Sequence, residues 1–427
     1  MFKKFINIIF RKNNKFIYYS SNLNIHIWFN SFLLIFSKKN IFSSKLNNEF
    51  SKIIGNGYTL SYASGRMGFF HILKSLNLTS QDEVILQAPN CAVMYNAVIR
   101  NGAVPVVVDV DLNCLGSDIS NIQKRITKNT KVIVVQHTLG IPCNIKSIAS
   151  FCAENNLILI EDCALTVSSS LDNIILGNFG DYAIFSFDNT KPINAIIGGM
   201  VYSKERNKIA ILEKENCLLS ELSKTFRFFI LGNAFIHYFF SKRFNWLYNL
   251  IYHVTLKILR IVKFKYNFPF LYNDSDYKID NNDFSYPYPA KMSECFAYLA
   301  HISLKNWQET VNRRIANKDK LLSVVDKLNI GIIPKAYSSK NLEIVPLRFV
   351  ILLKPNSKLF NLFDKLYDRN LMWFISPLAC NEDYKKFRII DSMIPNCIRL
   401  NNTIINIPID NNEEVDKLIK IIESIHG

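Results

Sequence analysis

Leu157-Ile158-Leu159-Ile160-Glu161-Asp162 is an apolar run that ends in two acids. A short way downstream comes Phe185-Ser186-Phe187-Asp188-Asn189-Thr190-Lys191, and then Gly198-Gly199. A continuous apolar run of strand length has no polar face to give to water, so it predicts a strand buried on both sides. Similar runs occur at Glu83–Ala88, Val104–Val110, Lys131–His137 and Tyr182–Phe187, with helix-like stretches between them, as at Ile119–Ile126 and Ile145–Asn155. Buried strands joined by helical crossovers predict an α/β fold with a mostly parallel sheet sandwiched by helices. Ligands of such sheets bind at the carboxyl ends of the strands, which is where Asp162 and His137 fall.

The pattern changes on either side of this region. Residues 1–48 are expected to form a basic amphipathic N-terminal segment, 49–221 the large domain, 222–270 a basic aromatic helical insertion and 271–427 a smaller C-terminal α+β domain. In the insertion, Lys242, Asn245, Asn249, His253, Lys257 and Arg260 share one helical face, and Leu247, Ile251, Val254, Ile258 and Ile261 share another. Further on, Ala290–Asn317 reads as helix, Glu343–Leu353 as strand, Leu359–Arg369 as helix, Ile404–Pro408 as strand and Glu413–Ile425 as helix.

The chain has 427 residues, is 49% hydrophobic and carries a formal net charge of +16. That length suits two domains around a substantial core. The charge is unevenly placed, with no Asp or Glu from Met1 to Asn48 and none between Glu221 and Asp274. Basic stretches dense in aromatics suit an anionic membrane surface, with an extra buried helix pair or a dimer contact as the alternative for 222–270, and no helix-turn-helix, zinc-finger or RNA-recognition pattern points to nucleic acid. Ile25–Phe36 and Phe228–Phe240 are too short and too polar to span a bilayer. Nine scattered cysteines without CxxC pairs fit a reducing compartment. The expectation is a cytoplasmic protein, peripheral on the inner face of the cell membrane.

Lys191 is the candidate catalytic residue, because a lysine amine can bond covalently to a carbonyl cofactor and later move a proton. Asp162 is placed to face a pyridine nitrogen and keep it protonated. Ser64-Gly65-Arg66-Met67-Gly68 precedes the helix-like run Phe69–Leu76, and a helix start of small residues exposes amides to an anion. Ser186 offers a further hydroxyl. An amine, an acid and an anion cradle in this order suit pyridoxal 5'-phosphate. His137 ends a strand near the same rim and is equally readable as a substrate contact or as a satisfied core histidine. No metal site is expected, since neither HExxH nor another ligand cluster is present.

These pieces resemble the DegT/DnrJ/StrS family of sugar aminotransferases, fold type I pyridoxal-phosphate enzymes. The resemblance rests on Ser64-Gly65-Arg66, Asn96-Ala97-Val98 leading to Gly102, and Pro105 to Asp111. It continues through His137-Thr138-Leu139-Gly140-Ile141-Pro142, Ile160-Glu161-Asp162-Cys163-Ala164, Gly180-Asp181, Ser186-Phe187 with Lys191 and Gly198-Gly199, and finally Ile404-Ile405-Asn406-Ile407-Pro408. It implies a homodimer in which Lys191 bonds the cofactor, Asp162 pairs with its ring nitrogen, and Gly65, Arg66, Met67 and Ser186 hold its phosphate. Cys91 would take the position of the ring-stacking residue. The implied reaction moves an amino group, usually from glutamate, to a nucleotide-linked keto sugar in surface polysaccharide or glycoconjugate biosynthesis. The chain departs from the family pattern at Leu165, where a hydrogen-bonding Gln or His is usual, at Cys91, at Arg66 and at Ile409-Asp410. An inactive membrane-held scaffold of the same fold and a pyridoxal-phosphate enzyme of another reaction type are the alternatives.

Overall fold

The computed structural model describes residues 23–241, 288–367, 372–379 and 383–426. Residues 1–22 and most of the expected insertion, including its basic stripe from Lys242 to Arg260, lie outside the described residues. The main sheet has seven strands: β1 (Tyr58–Tyr62), β2 (Glu83–Gln87), β3 (Val104–Val108), β4 (Thr130–Gln136), β5 (Ile158–Asp162), β6 (Tyr182–Ser186) and β7 (Gly199–Ser203). Their spatial order is β1-β7-β6-β5-β4-β2-β3. From β6 to β3 all neighbours are parallel, while β7 runs antiparallel to both β1 and β6. The five apolar runs read in the sequence are the five parallel strands; neither β1 nor β7 was among them.

The helices in chain order are α1 (Ile25–Leu34), α2 (Ile41–Ile54), α3 (Gly65–Ser75), α4 (Ala92–Arg100), α5 (Ile119–Gln123), α6 (Ile145–Glu154), α7 (Arg206–Asn216), α8 (Lys224–Ser241), α9 (Glu294–Leu304) and α10 (Trp307–Leu328), followed by α11 (Lys358–Leu366), α12 (Pro395–Thr403) and α13 (Asn412–His426). The boundary expected at residue 48 falls inside α2. Phe50 of that helix packs edge-on against Phe185 at 4.9 Å and Phe187 at 5.4 Å, so α2 is part of the core. The helix expected over Ala290–Asn317 is two helices, α9 and α10. The strand expected over Glu343–Leu353 is shortened to β8 (Arg348–Leu352), because Pro346 has no amide to donate to a ladder.

β8 pairs antiparallel with β9 (Ile404–Pro408) to form the small C-terminal sheet. Three links seat this unit on the large domain. The Asp109 carboxylate accepts the amides of Asn396 and Cys397 at the start of α12, at 2.8 and 2.9 Å. An anion at a helix N-terminus satisfies donors that the helix itself leaves open. The Leu347 amide donates to Leu139 O at 2.9 Å. Leu378–Ala379 pairs in parallel with Asn90–Cys91. Small-domain residues therefore stand over the carboxyl ends of the parallel strands.

Candidate active site

Side chains alternate across a strand, so the adjacent acids Glu161 and Asp162 at the end of β5 face opposite sides of the sheet. Glu161 is fully buried, and its two oxygens accept the amides of Phe179 and Gly180 (both 2.7 Å) and of Gly177 (2.8 Å), with His137 Nε2 at 3.1 Å. His137 is also fully buried, and its Nδ1 accepts the Cys143 amide at 3.3 Å. With Nδ1 accepting, Nε2 carries the proton and donates it to Glu161. Both ring nitrogens are thus engaged inside the core, and the rim position that the sequence allowed for His137 is not the one it takes. His137, Glu161 and Cys163 bring ligand-type atoms within 4.8 Å of one another, but the Glu161 carboxylate is already saturated by amides.

Asp162 points the other way. It is 3% exposed, and its Oδ1 accepts the Ala164 amide at 2.9 Å. Burial pushes its carboxyl above the usual range, opposed by the Ala164 amide and the Lys191 charge. Lys191 follows the end of β6, the strand next to β5, and its amide donates to Asp188 O at 3.0 Å. Its side chain is 8% exposed. Nζ sits 3.9 Å from the ring centroid of Trp373, a residue of the small domain that the sequence reading did not single out. The Trp373 amide donates to Asn406 Oδ1 at 3.4 Å, and Asn406 Nδ2 donates back to Trp373 O at 2.9 Å. Arg348 Nη1 donates to the same Asn406 oxygen at 2.7 Å. Asn406 is fully buried, so this clamp fixes the indole over the lysine.

The anion cradle is built by close approach. β7 runs so near the start of α3 that a Cβ on Gly199 would lie 2.2 Å from the Gly65 amide nitrogen. A Cβ on Gly65 would lie 2.8 Å from Phe185 O and 3.4 Å from the Ser186 Cβ. Only glycine fits either position, and the fit brings Ser186 against the first turn of α3. Ser64 Oγ at the N-cap is buried and lacks a hydrogen-bond partner. No acid occupies the first turn; Arg66 does, against the helix dipole, an arrangement that an anion would offset. Burial raises the Asp188 carboxyl as well, with the Lys191 and Arg66 charges opposing it. The Met67 amide lies 3.2 Å from Ser64 O and its sulfur accepts the Ala290 amide at 3.3 Å, so Met67 anchors this turn.

The structure therefore brings Gly65, Arg66, Ser186, Asp162 and Lys191 to the ends of neighbouring elements. Cys91 caps α4 and lies in register with Ala379. Leu165 is buried at 2% exposure, and Asp410 pairs with Arg314 Nε at 2.7 Å. Ser64 and Asp188 lay within the quoted motifs but had no assigned role. Trp373 and Arg348 carried no pattern of their own.

A mostly parallel sheet with an acid and a lysine at adjacent strand ends defines the class, the fold type I aminotransferase fold. An aminotransferase from Psychrobacter cryohalolentis superposes with a TM-score of 0.71 at 16% identity, covering 96% of this chain and 98% of that one. Residues 38–221 match the model of the DegT/DnrJ/EryC1/StrS aminotransferase family. GDP-perosamine synthase of Vibrio cholerae is 29% identical over 178 residues, 42% of this chain and 48% of that protein. The dTDP-4-dehydro-2,3,6-trideoxy-D-glucose 4-aminotransferase of Saccharopolyspora spinosa is 37% identical over 142 residues, 33% of this chain and 37% of that protein. The chain thus spans about half or less of the length of these relatives.

Proposed function

We propose that the protein is a pyridoxal-phosphate-dependent aminotransferase that moves an amino group from an amino acid, glutamate by preference, to a nucleotide-linked keto sugar. The sugar would serve surface polysaccharide or glycoconjugate synthesis, and the working unit would be a homodimer. The observation that carries this reading is a buried Asp162 at the end of β5 and a buried Lys191 in the loop after the neighbouring β6, beside a glycine-built helix start. The named activities of the relatives support the substrate class.

The residues fit the cofactor on their own chemistry. The orphaned Ser64 hydroxyl, the first-turn amides of α3, Arg66 and Ser186 suit its phosphate. Bound there, the cofactor would supply an electron sink for the carbon that loses a proton. Asp162 would hold the ring nitrogen protonated, and the cationic ring would in turn favour its ionised form. The Lys191 amine would form the covalent attachment and, once released, carry a proton between carbon centres. In the net reaction the amino acid leaves as its keto acid and the sugar carbonyl becomes an amine. Trp373 would exclude water from the lysine side of the site.

The first test is the visible absorbance of the full-length protein with pyridoxal phosphate, beside Lys191→Ala. A band present in the wild type and absent from the folded variant supports the covalent site. Keto acid release from glutamate in the presence of nucleotide keto sugars then separates transamination from dehydration. A folded wild-type protein with no band would leave the scaffold reading standing.

A further inference from the structure

Two parts of the chain that are distant in sequence form one surface. α1 and α8 run antiparallel: Trp28 packs against Phe235 at 5.6 Å and Tyr238 at 6.0 Å, and Phe32 packs against Phe228 at 5.5 Å. Lys224 Nζ lies 5.5 Å from the Phe36 ring, and the Tyr238 hydroxyl donates to Leu23 O at 2.6 Å. The inner side of the pair is ordinary core, with Trp28, Ile35 and Leu231 buried. The outer side is not. Ile25, Phe29, Leu33 and Phe36 are 53, 62, 55 and 65% exposed, and Phe228 adds 55%. Ile25, Phe29 and Leu33, spaced by four, share one face of α1, and Phe36 follows in the turn just after the helix. Contiguous exposed apolar surface of this kind marks an interaction site.

The charges around the patch name its partner. Lys38 and Lys39 are exposed just beyond Phe36, and Lys224 flanks the other side. No acid occurs from Met1 to Asn48 or between Glu221 and Asp274. The Tyr238–Leu23 bond places the end of α8 beside the start of α1. Among the described residues no helix is long and apolar enough to cross a membrane.

We propose that the outer face of α1, extended by Phe228, docks in the surface of an anionic lipid bilayer. Its phenyl and aliphatic side chains enter the interface, and the surrounding lysines meet the headgroups. This surface is separate from Lys191 and Asp162 and holds whether or not the site transaminates.

The test is cosedimentation of the full-length protein with phosphatidylcholine vesicles and with vesicles containing phosphatidylglycerol. Binding is expected to the anionic vesicles and to weaken as salt rises. The exposed triple variant Phe29→Ser/Leu33→Ser/Phe36→Ser should weaken it by about tenfold or more. Lys38→Glu/Lys39→Glu should weaken it and flatten its salt dependence. Both variants should keep the wild-type thermal midpoint and visible cofactor band, and that band reports the active-site reading separately. No binding to anionic vesicles, or equal binding by the triple variant, overturns the proposal. So does sedimentation velocity in which the triple variant breaks up an oligomer, which would assign the face to a contact between copies.

Discussion

The indole of Trp373 lies across the amine of Lys191, 3.9 Å from Nζ to the ring centroid, although the two residues belong to different domains. The contact joins the end of β6 to a segment clamped by Asn406 and Arg348 of the small sheet. The small domain thus supplies a wall of the site.

A cation over an indole is worth about 0.5–2 kcal/mol, more when shielded from water. Trp373→Ala is therefore expected to lower kcat/KM by about 2- to 30-fold while Lys191 still bonds the cofactor. Steady-state kinetics beside the visible band check both parts. Pyridoxal phosphate should also quench tryptophan emission, and Trp373→Phe should remove most of that quenching although three other tryptophans remain.

Burial raises the Asp162 carboxyl above its ordinary value. A group whose pKa is raised on folding binds more protons folded than unfolded, so its contribution to stability falls as pH rises from the ordinary carboxylate range through the raised value. Above that window the buried charge destabilises the cofactor-free protein. Asp162→Asn, which can still accept the Ala164 amide, is expected to melt higher than wild type at neutral pH without cofactor. The gap should close as pH falls below the carboxylate range. The same variant should lose activity by about a hundredfold or more, since the ring nitrogen loses its partner. Thermal melts against pH, with and without pyridoxal phosphate, are the measurement.

Gly65→Ala places a methyl carbon 2.8 Å from Phe185 O, so the start of α3 must move off the sheet. Weaker cofactor affinity, by about tenfold for each 1.4 kcal/mol of lost phosphate contact, is the expected result. Titration of the visible band reads it directly.

Glu161→Gln sets an amide NH2 among the Gly177, Phe179 and Gly180 amides that now donate to a carboxylate. The expected loss is about 3 kcal/mol of stability, measured as a lower urea midpoint. His137→Asn should also destabilise, by about 1–2 kcal/mol, with KM for the sugar unchanged because the ring is walled into the core.

Much of the large domain was legible because its local signals agree with its tertiary fate. Apolar runs such as Leu157–Ile160 and Val132–Val135 must be buried on both faces, and the period of two sends Glu161 and Asp162 to opposite sides. β7 escaped because Gly199-Met200-Val201-Tyr202-Ser203 begins with glycine, a weak strand signal whose purpose is the close approach to Gly65. The His137 position was ambiguous because a strand-end histidine reads the same whether it faces solvent or a buried carboxylate. Trp373 was invisible because its role depends on Asn406, a residue of a different strand, holding its backbone.

The sequence by itself determined the order of the parallel strands' elements, the acid and lysine that end two of them, and the uneven charge along the chain. Each follows from local composition and spacing, which a single segment expresses alone. Only the tertiary structure decided that Glu161 and not Asp162 takes His137, that Trp373 covers Lys191, and that α1 and α8 merge their apolar faces. These depend on which distant segments are brought within a few ångströms, and packing around a shared core fixes that.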